Sequence, residues 1–442
     1  MAAQYAHTHD RHAHQGMPKM PDWLTVEQAL EKILTLVPVL ESEERPLLET
    51  LGQVLAEDVT SPINVPSAAN SSMDGYAVHW EGIRTASDTT APALRVVGNL
   101  AAGQTPSQSV HAGEAIRIMT GAVVPPGADT VVPFEETDEL EQAQKGQTRP
   151  TTIRIQVPLP KGANIRLAGE DIAQGALVLT RGTTLRPSEL GVLASLGRAT
   201  VKVHRRPVVA VLSTGDELLE LGEPSSPGKI YNSNSFSIAA SLIRYGAVPR
   251  LLGIARDNLP SLEAKIAEAL SADMLITTAG VSRGDYDIVK DVLMRQGQIA
   301  FWTVRMRPAK PIAFGTLSAP NGRRVPHLGL PGNPVSSLVA FEEFGRPAVY
   351  KMLGKRNFAK PTIKAVLEEA IVNHDERRVY ARAIVTKRGD TYYARLTGSQ
   401  SSGVLTSMAK ANGLAICPDD VPIKKAGEIV DVQMLDWTEE QA

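Results

Sequence analysis

Val208-Val-Ala-Val-Leu-Ser-Thr-Gly-Asp-Glu217 is the stretch that decides the architecture. Its first five residues form a continuous apolar run, the mark of a strand covered on both faces. Its last five are small, hydroxylated or acidic. Downstream, the pattern predicts a helix at about Ser235 to Arg244, closed by Gly246, and a strand from Arg250 to Ile254. A helix from Ser261 to Leu270, a strand from Met274 to Thr278, a helix from Ile288 to Arg295 and a strand from Ile299 to Val304 follow. Strand and helix alternating in this way predict a parallel, doubly wound α/β sheet over residues 205–355.

On either side of this segment the sequence changes character. Short β-rich runs at Leu94–Val97, Glu114–Ile118, Thr130–Val132 and Thr152–Val157 alternate with Gly and Pro turns, which predicts an inserted β-domain over residues 58–160. Residues 21–57 and 161–204 flank it and are expected to form a helical and mixed linking domain. There, Thr25-Val-Glu-Gln28 is a capping box, and Leu30, Ile33, Leu34 and Val37 follow at helical spacing. A second helix is expected from Pro46 to Leu55, a strand from Ala176 to Thr180, and a helix opened by Ser188 and stopped by Gly197. After Lys360, runs at Ile363–Leu367, Val379–Val385, Tyr392–Leu396, Leu414–Cys417 and Ile429–Met434 predict a C-terminal β-barrel or sandwich over residues 359–442. Residues 1–20 hold four of the nine histidines and almost no apolar pattern, so a disordered tail is expected, although such a tract can also bind metal adventitiously. The fold class is thus α/β plus all-β modules.

At 442 residues the chain has room for about three domains at ~150 residues each. Its 46 basic and 48 acidic residues give a net charge of −2, which argues against a nucleic-acid binder with a strongly basic face. No window approaches the apolar length of a membrane-spanning helix. The single cysteine, Cys417, excludes an intrachain disulfide and a Cys-rich zinc site. No signal peptide is apparent, and a cytoplasmic protein is expected.

In doubly wound sheets, ligands bind beyond the carboxyl ends of the strands, where loops lead into helix N-termini. That rule selects three loops: Ser213-Thr-Gly-Asp-Glu217, Thr277-Thr-Ala-Gly-Val-Ser-Arg-Gly-Asp-Tyr-Asp287 and Gly329-Leu-Pro-Gly-Asn-Pro-Val-Ser-Ser337. Small residues let backbone amides approach an anion, and hydroxyls add donors. Asp216, Glu217, Asp285 and Asp287 are hard oxygen ligands of the kind Mg²⁺ takes when it also holds substrate phosphates. Singly, each loop also reads as an ordinary turn and helix cap. Together, on one sheet edge, they indicate a phosphorylated, Mg²⁺-bound ligand, although neither a Walker motif nor GxGxxG is present. Arg305-Met-Arg-Pro-Ala-Lys-Pro311 gathers basic side chains against two prolines, suited to an oxyanion or equally to solvent. Asn70-Ser-Ser-Met-Asp-Gly-Tyr-Ala-Val78 and Gly398-Ser-Gln-Ser-Ser-Gly403 are, by themselves, a turn and a hairpin tip.

These segments together resemble the molybdopterin molybdenumtransferase family, bacterial relatives of the gephyrin C-terminal domain. The resemblance rests on NSSMDGYAV, RIMTGA, NIRLAGEDI, STGDEL, AGVSRGDYD, RMRPAKPIAFG and GLPGNPVSS, in order from Asn70 to Ser337, with GSQSSGVLTSMAKANGLA (Gly398 to Ala415) as an eighth. It implies four domains, with an α/β domain like that of the molybdopterin adenylyltransferases, and an elongated homodimer whose inserted domain faces the partner's α/β domain. It implies insertion of molybdate into adenylylated molybdopterin with Mg²⁺-dependent release of AMP. Glu217, Asp257, Asp285 and Asp287 would then bind Mg²⁺, and one of them would orient the nucleophile. Asp74 and Thr120 would complete the cleft from the second subunit, and Arg166 would meet an anionic group. Ser213, Thr214, Gly215, Gly280, Ser282, Pro331, Asn333 and Pro334 would line the substrate loops. Lys310, Pro311 and Ser336 resemble the molybdate site, and Arg382 and Ser402, with Arg377 as a neighbour, resemble a further anion contact. A molybdopterin adenylyltransferase and acceptors of the finished cofactor are the protein partners it suggests.

The sequence departs from the family pattern at Ala279 and Ala309, where Gly is usual, at Arg283, where a small apolar residue is usual, and at Arg307, where Lys is usual. An alanine forced to positive φ would cost roughly 1 kcal/mol or shift its loop. Two other functions fit parts of the pattern: a non-catalytic pterin-binding or scaffold protein on the same fold, and an adenylyltransferase making the activated pterin. The carboxylates Asp74, Glu217 and Asp287 favour the enzyme over the scaffold, and the β-insert and terminal barrel disfavour the adenylyltransferase.

Overall fold

The computed structural model describes residues 23–87, 90–146, 149–280 and 288–436. The His-rich tail, Ser282, Arg283, Asp285 and Asp287 lie outside the described residues. The chain divides into two compact units: Glu43–Val203, and the residues up to Ser42 together with those from His204 onward.

The larger unit is built on a seven-stranded sheet, in the order Trp23–Leu24, Gly297–Val304, Pro311–Ser318, Arg324–Leu330, Met274–Thr278, Val208–Thr214 and Val248–Ala255. The run at Val208 is covered on both faces, and Val209 to Leu212 are fully buried. The expected all-parallel sheet needs one correction. Pro311–Ser318 runs antiparallel to both of its neighbours, because only five residues separate it from Arg324–Leu330 and a parallel crossover needs a dozen or more. From Val208–Thr214 the chain crosses first to Val248–Ala255 on one side, then back to Met274–Thr278 on the other. The topological switch point therefore lies between Thr214 and Thr278.

A second difference concerns residues 21–57, expected in the linking domain. Trp23 and Leu24 pair in parallel with Thr303 and Val304 of the α/β sheet. The helix Val26–Leu36 buries Val26, Ala29 and Ile33 within the same unit, its capping box intact, with Gln28 N–H donating to Thr25 Oγ1 at 3.2 Å. The helix expected from Pro46 to Leu55 is a strand, Ser42–Pro46, followed by a single 3₁₀ turn, Leu47–Thr50. Pro46 lacks an N–H, and the apolar residues beyond it do not sustain a helical stripe.

The C-terminal residues form a closed barrel of five strands, Arg378–Arg388, Thr391–Leu396, Thr362–Leu367, Ile429–Met434 and Gly413–Cys417, the last pairing back onto the first. Alternate inward residues such as Leu367, Ala381, Ala383, Ala394 and Val432 fill its core. Met306–Arg307 pairs in parallel with Arg378–Val379, so the turn after Val304 is stitched to the barrel wall.

The unit Glu43–Val203 holds a five-stranded sheet in the order Thr130–Pro133, Gly75–Val78, Glu114–Ile118, Ala93–Leu100 and Thr152–Arg154. Tyr76 and Val78 pack on one face and Ala77 on the other, so the strand Gly75–Val78 is buried throughout. Gly75 is required there, because a Cβ would fall 2.0 Å from Val132 O. The helix Pro187–Ser195 starts a residue before Ser188, with Pro187 at its first position and Glu189 accepting the Arg186 N–H at 2.9 Å. No helix among the described residues is long and apolar enough to cross a membrane.

Candidate active site

The carboxyl ends of Val208–Thr214 and Met274–Thr278 open onto a cleft of about 1050 Å³ within the larger unit. Its floor is a cluster of uncharged groups. Ser213 Oγ lies 2.8 Å from Asn232 Oδ1, 2.8 Å from Ser235 Oγ and 2.7 Å from Thr278 Oγ1, all four residues buried. Asn232 caps the helix Ser233–Arg244, accepting the Ser235 N–H at 3.3 Å. Its own Nδ2 is buried without a partner among the described residues, on a residue that lines the cleft. The backbone N-terminus of this helix, with Asn232, Ser233 and Asn234, thus lines the cleft, an arrangement suited to an anion. Asn232 was missed by the sequence reading; an Asn just ahead of a helical pattern is the N-cap signal that marks it.

Around this floor stand the three loops. Gly215 sits at φ +140, and a Cβ there would come within 2.3 Å of Glu217 Oε2, so glycine leaves room for the Glu217 carboxylate to fold back over the loop. Asp216 and Asp257 brace one another: each carboxylate accepts the other's backbone N–H, at 3.2 and 3.3 Å. On the second loop Ala279 stands at φ 79 and Gly280 at φ 74. On the turn after Val304, Ala309 has φ 76. Both alanines that replace the family's glycines therefore occupy left-handed backbone, where a Cβ is strained by about 1 kcal/mol. Lys310 lines the cleft, with its Nζ 4.4 Å from the centre of the Trp23 ring.

The barrel supplies the facing lip. Gln400, Ser401, Ser402 and Gly403 line the cleft with Arg377, and the Ser402 carbonyl accepts the Val335 N–H at 3.1 Å, tying the lip to the start of the helix Pro334–Ala340. Arg382 lies behind this loop and does not line the cleft. It is 2% exposed, donates from Nε to Ser407 Oγ at 3.2 Å and from Nη2 to Ser401 O at 3.2 Å, and its backbone N–H donates to Gln400 Oε1 at 2.9 Å. Burial, with the nearby Arg307 charge, pushes it down to about 10. The expected direct anion contact at Arg382 is therefore, in this structure, a prop for the loop that carries Ser402. It alternates with the core residues Ala381 and Ala383, so it points out of the barrel and is buried by the loop packed over that wall, which the sequence motif alone does not show.

Of the expected residues, Thr214, Glu217, Gly280, Lys310, Pro311, Pro331, Asn333, Pro334, Ser336 and Ser402 line one cleft. Ser213, Gly215 and Asp257 are not among its lining residues; Ser213 lies in the floor cluster beneath it, and Gly215 and Asp257 are neighbours of Glu217 and Asp216. Asp74, Thr120 and Arg166 belong to the other unit. There, Asp74 Oδ1 accepts both the Thr120 N–H at 2.6 Å and the Thr120 hydroxyl at 2.8 Å. The Thr120 backbone bond, then its hydroxyl, hold the Asp74 carboxyl below the usual aspartate range. Arg166 pairs with Asn70 in a two-residue ribbon, and the Gly121 N–H donates to Ser71 O at 2.8 Å, so the three segments are neighbours. Among the described residues no three His, Cys, Asp or Glu side chains gather tightly enough to hold a metal by themselves.

Comparison with known proteins agrees along the length of the chain. Residues 24–197 match the MoeA N-terminal region (domain I and II), residues 210–351 the "Probable molybdopterin binding domain", and residues 364–435 the MoeA C-terminal region (domain IV). The molybdopterin molybdenumtransferase of Haemophilus influenzae is 36% identical over 417 residues, covering 93% of this chain and 98% of the relative. That of Nostoc sp. is 35% identical, covering 92% and 91%. A solved molybdopterin biosynthesis moeA protein from Pyrococcus horikoshii superposes with a TM-score of 0.77 at 31% identity, covering 94% of this chain and 100% of that one.

Proposed function

This chain belongs to the molybdopterin molybdenumtransferase family and is a transferase of molybdenum cofactor biosynthesis; from that premise we propose that it inserts molybdate into adenylylated molybdopterin with release of AMP. The observation that carries the proposal is the cleft at the topological switch point, where Glu217, Lys310, Ser336 and Ser402 converge on one space.

Cleaving the pyrophosphate link of an adenylate needs its oxygens held, its leaving group oriented and an oxygen nucleophile directed in line. The N-terminus of Ser233–Arg244 and the Thr214 hydroxyl offer donors to the phosphates. Lys310 and the Ser336 hydroxyl suit molybdate, a tetrahedral dianion, by charge-assisted hydrogen bonding. Arg307 keeps the charge of the family's usual lysine with a different, forked geometry. Glu217 is the carboxylate placed to orient the nucleophile from the cleft side.

Mg²⁺ takes one or two protein carboxylates and fills its remaining positions with water and phosphate oxygens. Glu217 and the Asp216–Asp257 pair are such a donor set, so the residues present fit the ion, and Asp285 and Asp287 on the second loop are the further candidates. Bound there, Mg²⁺ would neutralise charge developing on the phosphates. The active species is a homodimer in this proposal, with the partner's Asp74 and Thr120 completing the cleft. Working in the cytoplasm, it would receive activated pterin from an adenylyltransferase and hand cofactor to acceptor proteins.

The test is AMP release from adenylylated molybdopterin with Mg²⁺, with and without molybdate, and with tungstate alongside. Release that depends on molybdate supports the transferase, and comparable release with tungstate would widen the oxyanion it takes. Tight pterin binding without release would overturn the proposal in favour of a binding or delivery protein.

A further inference from the structure

We propose that Trp23 is a positioning residue for the oxyanion: its indole face holds the Lys310 ammonium in place over the cleft. The inference rests on the transferase function above and adds a residue outside all eight motifs on which the family resemblance stands.

Lys310 is the one lysine among the described residues that line the cleft. A lysine ammonium on a four-carbon stem samples many rotamers unless something holds it. Among the described residues Lys310 forms no ion pair, and the contact that fixes its head is the Trp23 ring, 4.4 Å from Nζ to the centroid. An aromatic face attracts a cation through its quadrupole while carrying no net charge. The chemical consequence differs from that of a salt bridge. A carboxylate partner would hold the ammonium equally well but cancel its charge and repel an incoming dianion. The ring orients the ammonium and leaves its positive charge available.

Both partners are themselves fixed. Trp23 pairs with Thr303 and Leu24 with Val304, and the Arg305 N–H donates to Leu24 O at 2.9 Å. The Val304 N–H closes the turn onto Lys310 O at 2.9 Å. Directly after Leu24, the Thr25 capping box starts the helix Val26–Leu36, with Thr25 N–H donating to Gln28 Oε1 at 3.0 Å. The start of the described chain and the Lys310 turn are therefore held together as one clamp, and Trp23 is the side chain by which that clamp touches the Lys310 ammonium.

The experiment compares the molybdate dependence of AMP release in the full-length wild type with that in Trp23→Phe, Trp23→Leu and protein carrying mono- and difluorotryptophan at position 23 alone. Leucine keeps apolar bulk but has no quadrupole; fluorination keeps shape and drains it. Trp23→Leu should raise the KM for molybdate about threefold to tenfold, with kcat changing less. Trp23→Phe should fall between wild type and Trp23→Leu, and KM should climb with each fluorine. An unchanged KM in Trp23→Leu, or an equal loss in the Phe and Leu variants with no fluorine trend, would overturn the inference while wild-type turnover leaves the transferase function standing. Equilibrium dialysis with labelled molybdate reads the same comparison without turnover: equal affinity in wild type and Trp23→Leu overturns the role of Trp23 whatever the reaction proves to be.

Discussion

At the floor of the cleft, Ser213, Asn232, Ser235 and Thr278 share hydrogen bonds as neutral groups at the end of the α/β sheet, with Asn232 Nδ2 left over among the described residues. At the barrel lip, a charged side chain, Arg382, is buried behind Ser401 and Ser402, with Ser407 Oγ and a carbonyl as its acceptors. Both devices hold small polar residues at the same cleft, but their costs differ. A neutral hydrogen-bonded cluster is inexpensive to bury so long as every member keeps its partner. A guanidinium held without a carboxylate carries a desolvation penalty, which is why burial lowers its pKa. The floor thus owes its form to the strand ends and the helix start themselves, whereas the lip is an added loop that needs a dedicated prop.

The largest expected effect separates chemistry from scaffold. Glu217→Gln should lower AMP release about a hundredfold or more with an unchanged melting temperature, and Asp287→Ala should abolish it; a folded, fully active variant of either would remove that carboxylate from catalysis. At the lip, Arg382→Ala should destabilise the protein by about 3 kcal/mol, measured by denaturant unfolding, through lost packing and an unanchored loop. Arg382→Met, which fills the space without the charge, should cost distinctly less. If Ala and Met cost the same, desolvation is not the feature that distinguishes lip from floor.

Beneath the floor, His327 is fully buried with Nε2 3.0 Å from Thr277 Oγ1, and burial pushes it down to about 3. The unfolded chain takes up this proton below about pH 6.5 and the folded chain does not, so the unfolded state binds more protons and stability rises with pH across that window. Unfolding free energy should therefore fall by up to about 1.4 kcal/mol per pH unit below 6.5, and His327→Gln should flatten that slope. Ser213→Ala leaves Asn232, Ser235 and Thr278 short of a partner and should cost about 1–2 kcal/mol by the same assay. The smallest effect belongs to the left-handed alanines: Ala279→Gly or Ala309→Gly should change stability by less than about 1 kcal/mol, relief of strain being offset by a more flexible unfolded chain.

Much of this organisation was legible in local signals. The Thr25 capping box, the apolar run at Val208 and the loops that follow Thr214 and Leu330 each depend on a few adjacent residues, and each stands where its pattern put it. What escaped depends on residues far apart in the chain. Nothing near Trp23 announces that it will pair with Thr303, and the basic, proline-bounded segment Arg305–Pro311 does not announce that the strand after it, Pro311–Ser318, runs antiparallel to both of its neighbours. Arg382 carries an anion-binding motif's residue type, but whether it faces the cleft or supports a loop depends on barrel closure, a pairing between Arg378–Arg388 and Gly413–Cys417. Pair formation across such distances leaves no periodicity to read.

The pairing of Trp23 with Thr303 also bears on how the chain is made. The two residues are 280 positions apart, so at ribosomal speeds of ~5–20 residues per second the first strand emerges roughly 15 to 60 s before its partner exists. During that interval the amphipathic helix behind it has no sheet to cover Val26, Ala29 and Ile33, while the whole of Glu43–Val203 can be synthesised and fold as its own unit. The first strand of the α/β unit thus waits for a partner made much later, and assembly of the Lys310 clamp becomes a late event in the life of each new molecule.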